Sequence, residues 1–79
     1  MTSTEIAADV ERLIRELMPA LPAGPISPSA TFQDLGMDSL KLVDLLGAAE
    51  YHFSVEVPDE EVGSFVQVSD LTDFVLRAG

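Results

Sequence analysis

Apolar residues recur at intervals of three and four from the start of the chain: Ile6, Val10, Leu13, Ile14 and Leu17, with Glu5, Asp9, Glu11, Arg12, Arg15 and Glu16 between them. That spacing predicts an amphipathic helix over residues 2–18. Thr2 followed by Glu5 fits a capping box at its start, and Pro19 and Pro22 end it. A second stripe of Leu42, Leu45, Leu46, Ala49 and Phe53 predicts a helix over 38–53, with Asp38 as its cap. Between the two, "ALPAGPISPSAT" carries three prolines, a glycine and two serines, and reads as a long loop over 20–31. A loop of that length in so small a chain suggests a crossing from one end of a bundle to the other, and hence parallel-leaning helices instead of a hairpin.

"VEVPDEEV" breaks the helical period at Pro58, and the three acids that follow suit the positive end of a helix a turn or two long. "VSDLTDFVLRAG" then predicts a last helix, capped by Ser69 or Asp70, with Leu71, Phe74 and Val75 facing inward and Gly79 at its end. The only strand-like alternation is "FSVEV", which has no partner segment, and a lone strand is not stable. The expected fold is all-α: a four-helix bundle of three longer helices and one short one, with a long first loop. Seventy-nine residues hold one core, so residues 1–79 form a single domain.

Charge changes the picture more than composition does. Fourteen acidic residues against four basic ones leave a net charge of −10, distributed along the chain. Such a surface repels nucleic acid and anionic membrane and attracts basic patches on other proteins. No apolar run approaches the ~20 residues of a membrane span, and the amino terminus lacks a secretion signal, so a cytoplasmic monomer is expected. There is no cysteine, hence no thiol nucleophile and no cysteine-ligated metal.

Ser39, between Asp38 and Leu40 where the loop turns into the second helix, is the candidate for chemistry. By residue type alone, a serine there is a helix-start residue that satisfies free backbone N–H groups. A hydrolytic role needs a base beside the hydroxyl. The single histidine, His52, lies thirteen residues further along the same helix, about 20 Å away at 1.5 Å per residue, and no G-x-S-x-G turn surrounds the serine. His52 is therefore given no role. Neither Asp38 with Asp44 nor the run Asp59, Glu60 and Glu61 has the alternating oxygen ligands and central glycine of a calcium loop.

"DLGMDSLKLVDLL", followed by "VPDEEV" and "VSDLTDF", resembles the acyl carrier protein family over nearly the whole chain. The resemblance implies that Ser39 is the attachment point of a 4′-phosphopantetheine arm, delivered from coenzyme A by a phosphopantetheinyl transferase. The chain would then be a carrier of acyl thioesters and not an enzyme. It further implies that Asp38, Leu40, Val43, Asp44 and Glu50 form a partner-binding face for that transferase and for acyl-transfer, condensing or tailoring enzymes with basic docking patches. For Glu50 an ordinary solvated position is an equal reading.

Two residues depart from the family pattern. Lys41 stands where an acid or small polar residue is common, and Gly47 where a larger apolar one is. Both favour a dedicated carrier in polyketide or related specialised metabolism over one for fatty-acid synthesis. Carriers of aminoacyl groups, peptidyl or D-alanyl, usually have a basic or neutral residue before the serine, so Asp38 favours acyl cargo. From another class, an unmodified acidic adaptor would leave Ser39 bare.

Overall fold

The computed structural model describes residues 2–78. Helix α1 spans Ser3–Leu17, α2 spans Ser39–Phe53, a 3-10 helix spans Asp59–Ser64, and α3 spans Val68–Ala78. Three longer helices and a short one are present, as the periodicity predicts, and no strand occurs among the described residues. The expected end at Gly79 lies outside them.

Helix α1 begins with the expected capping box. The Thr2 hydroxyl accepts the Glu5 N–H at 3.2 Å and the Glu5 carboxylate accepts the Thr2 N–H at 2.9 Å. Its apolar face, Ile6, Val10, Leu13 and Ile14, is buried and packs against both α2 and α3. Helix α2 contributes Leu45, Leu46 and Ala49 to the same core, while Leu42 and Phe53 are half-buried at its edge. From α3 come Val68, Leu71 and Val75, with Phe74 half-buried and set edge-on against Phe65 at 5.6 Å.

The first loop does not cross the bundle to make parallel helices. Gly36, just ahead of α2, lies against the Met18 side chain at the end of α1, and His52 near the end of α2 reaches back to Asp9. Helices α1 and α2 therefore run in opposite senses. The loop's length goes instead into packing along the side of the bundle. Arg15 donates to the carbonyls of Pro22, at 3.0 Å, and Gly24, and the Glu11 carboxylate accepts the Ile26 N–H at 2.9 Å. Further on, the loop pairs with the segment before α3 through an antiparallel bridge between Thr31 and Gln67.

That pairing also corrects the expected start of α3. The helix begins at Val68, so Ser69 and Asp70 are its second and third residues and neither is the cap. The N–H groups of Val68 and Ser69 bond to the carbonyls of Ala30 and Pro28 at 3.0 and 2.9 Å, so loop backbone takes the place of a capping side chain. Asp70 reaches backward, its Oδ2 accepting the N–H groups of Val66 and Gln67 at 2.9 and 3.0 Å.

Candidate functional site

The stretch "FQDLGMDS" winds into a tight turn that delivers Ser39 to the surface. Leu35 and Gly36 N–H groups bond back to the carbonyls of Thr31 and Gln33, at 3.1 and 2.9 Å, and the Thr31 hydroxyl accepts the Asp34 N–H at 2.9 Å. Gly36 closes the turn at φ +87°, where a side chain would be strained. On either side of it, Phe32 and Met37 are buried and fix the turn to the core.

Helix α2 then starts with a division of labour. Asp38 is the cap: its Oδ1 accepts the Lys41 N–H at 2.8 Å. Ser39 is the first helical residue and is exposed. The role that residue type alone suggests for the serine, satisfying a free N–H at the helix start, is taken by its neighbour. A hydroxyl held on the first turn of a rigid helix and open to solvent is accessible to another enzyme.

The surroundings of Ser39 suit a phosphopantetheine arm. The first N–H groups of a helix have no partners within it and favour an anion, so a phosphodiester on Ser39 Oγ would sit at the favourable end of α2. Beside the serine opens a groove of about 250 Å³, lined by Thr31, Phe32, Met37, Leu42, Phe65 and Val66. Three of these come from the loop ahead of α2 and two from the approach to α3, so the groove is a product of the Thr31–Gln67 pairing. Sequence reading did not find it, because its two walls are separated by the whole of α2.

The expected partner-binding residues divide into two groups. Leu40 and Val43 are exposed at 76% and 53%, as are Asp44 on the same helix and Asp38 at its cap. Glu50 is half-buried, and its Oε2 accepts the Val57 N–H at 2.8 Å. Its carboxylate thus ties the end of α2 to the chain that follows, a role that no local sequence pattern signals. His52 is likewise engaged within the fold: its Nε2 lies 3.1 Å from Asp9 Oδ2 and 3.2 Å from Arg12 Nη2, joining α2 to α1. Among the described residues, no group of three or more His, Asp or Glu side chains is placed to hold a metal ion.

The family description "phosphopantetheine attachment site" matches residues 5–75. An acyl carrier protein from Acidothermus cellulolyticus is 33% identical over 79 residues, taking in 99% of this chain and 93% of its own length. One from Helicobacter pylori is 38% identical over 68 residues, 85% of this chain and 86% of its own. The crystal structure of an acyl carrier protein from Thermotoga maritima superposes with a TM-score of 0.84 at 28% identity, covering 96% of this chain and 88% of that one.

Proposed function

Because the chain belongs to the phosphopantetheine-attachment family of acyl carrier proteins, we propose that Ser39 is the residue that takes the arm and that the cargo belongs to polyketide or related specialised metabolism. The protein is a carrier and not an enzyme, and its cofactor is phosphopantetheine. When attached, that group supplies the thiol that a chain without cysteine lacks, and acyl groups are held on it as thioesters.

The observation that carries the assignment to Ser39 is the exposed hydroxyl one residue after a separate cap. Loading forms a P–O bond at Ser39 Oγ and breaks the phosphoanhydride of coenzyme A. Adenosine bisphosphate leaves, and the hydroxyl proton passes to a base on the transferase. The chain itself contributes only position: a fixed helix end whose dipole favours the new phosphate, and a groove alongside. Asp38, Leu40, Val43 and Asp44 give a partner apolar contact flanked by acids, and Glu50 adds to it with whatever part of its carboxylate Val57 leaves open.

The specialised-metabolism reading rests on Lys41 and Gly47, which make the outer face of α2 less acidic and flatter than in fatty-acid carriers. A cytoplasmic location fits a chain in which no described helix is long and apolar enough to cross a membrane. The whole chain acts as one carrier unit. The test is the mass of the group released by mild base from protein isolated from its own host. A branched or oxygenated acyl group supports the reading. A plain saturated acyl chain assigns the protein to fatty-acid synthesis, an amino acid to aminoacyl transfer, and an unmodified chain to an adaptor role.

A further inference from the structure

Where α3 meets the 3-10 helix lies a cleft of about 510 Å³, about twice the volume of the groove beside Ser39. Phe65 and Phe74, set edge-on to each other, form its apolar part, and Glu61, Asp70 and Asp73 place carboxylates around them. No residue of α2 lines it. Five large apolar side chains are exposed on the described surface, and three of them, Leu40, Val43 and Tyr51, are on α2. The other two are Val66, at 58%, in the groove beside Ser39, and Leu76, at 45%, in this cleft; Phe65 is common to both cavities. Apolar exposure away from α2 is thus gathered along one track, and exposed apolar patches rimmed by polar groups mark interaction sites.

Charge narrows what the cleft can take. Its three acids are accompanied by one cation, Arg77, which makes no ion pair with any of them; its Nε donates to the Asp73 carbonyl at 3.3 Å, back on its own helix. Asp70 is fixed by the N–H groups of Val66 and Gln67, at 2.9 and 3.0 Å, so its charge is in place before anything binds. Aromatic rings among carboxylates repel an anion and suit a side chain with an apolar stem and a cationic head, which is lysine or arginine. Leu76 beside them offers a contact for an aliphatic neighbour of that cation. A second copy of this chain, at net charge −10, is repelled from such a site.

We infer that the cleft between the 3-10 helix and α3 is a second docking site, for a segment of a partner protein in which lysine or arginine alternates with aliphatic residues. The cation meets Asp70 and Asp73, its stem lies on Phe74, and the aliphatic neighbour lies on Leu76. Because α2 takes no part, its outer face stays open, so one protein can hold the carrier here while another reaches Ser39. Such a hold raises the effective concentration of the carrier for any enzyme linked to the segment. The inference does not depend on which residue takes the arm.

The test is amide chemical-shift titration of the unmodified protein, and of Ser39→Ala, with an end-blocked peptide that alternates lysine and leucine. Saturable shifts are expected at Phe65, Asp73, Phe74 and Leu76 in both proteins. Asp73→Lys, a change at an exposed position, weakens binding about ten-fold, and Leu76→Ala weakens it about three-fold. Glu16→Lys makes the same change of charge on an exposed position of α1 and stays within about two-fold of the wild type. Shifts centred on Leu40, Val43 and Asp44, an equal response to the peptide with glutamate in place of lysine, or full binding by Asp73→Lys overturns the inference. Movement of the same amides on acylation of the arm, with no peptide present, gives the cleft to the cargo and also overturns it; movement with protein concentration alone gives it to a second copy, with the same result.

Discussion

The Asp38 carboxylate accepts the backbone N–H of Lys41 at 2.8 Å, and in doing so it caps the helix on which Ser39 is the first residue. One residue holds the turn and the next is left for chemistry. Esterifying a hydroxyl that serves as the cap would change the acceptor on which the helix start depends. Here the two jobs are on separate side chains.

Asp38→Ala should therefore lower stability by about 1 kcal/mol, the usual loss for a cap, measured by urea denaturation. Asp38→Asn keeps the capping oxygen and should fold nearly as well. If the acid also meets the loading enzyme, Asp38→Asn slows modification without a matching loss of stability, which separates the two roles.

Glu50 offers a similar separation from the other side. Its bond to the Val57 N–H is half-buried and charge-assisted, so Glu50→Ala should destabilise by about 1–2 kcal/mol. Asp44→Ala, on the exposed face, should stay within about 0.5 kcal/mol of the wild type. Equal stability of the two variants in urea would remove the structural role assigned to Glu50.

Helix α2 ends at Ser54, whose backbone is left-handed at φ 55° and ψ 44°. Glycine adopts that conformation without the steric penalty of a Cβ. Ser54→Gly should stabilise the protein by about 0.5–1 kcal/mol, seen as a higher denaturation midpoint with an unchanged slope.

The pH response of α1 follows from its capping box. The Thr2 backbone N–H, and then its hydroxyl, hold the Glu5 carboxyl below its ordinary value. The folded state thus prefers the ionised form, and the stability this adds is complete above the unfolded value of about 4.3. It falls away as the pH drops from there through the lower folded value. Amide exchange in the first turn of α1 should accelerate over that acid range, and Glu5→Gln should abolish the change while leaving exchange in α2 unaltered.

What the sequence disclosed depended on the reach of each interaction. The capping box of Thr2 and Glu5, the cap at Asp38, the apolar stripes of α1 and α2 and the short helix after Pro58 all arise within a few residues of one another, and local pattern exposed them. The start of α3 did not, because its first amides bond to Ala30 and Pro28, far back in the chain. The groove beside Ser39 is hidden for the same reason, and the Glu50–Val57 tether because it spans the end of α2 and the irregular segment after it. The sense of α2 does not follow from loop length, because Arg15 and Glu11 hold that loop against α1 and its length is not distance travelled.

The central claim is that one hydroxyl, on Ser39, takes the arm. Its most direct test is tandem mass spectrometry of the protein after incubation with coenzyme A and a phosphopantetheinyl transferase. The expected result is a single phosphopantetheinyl addition located on Ser39, absent in a folded Ser39→Ala variant. An addition mapped to any other residue, or one that persists in Ser39→Ala, would contradict the account.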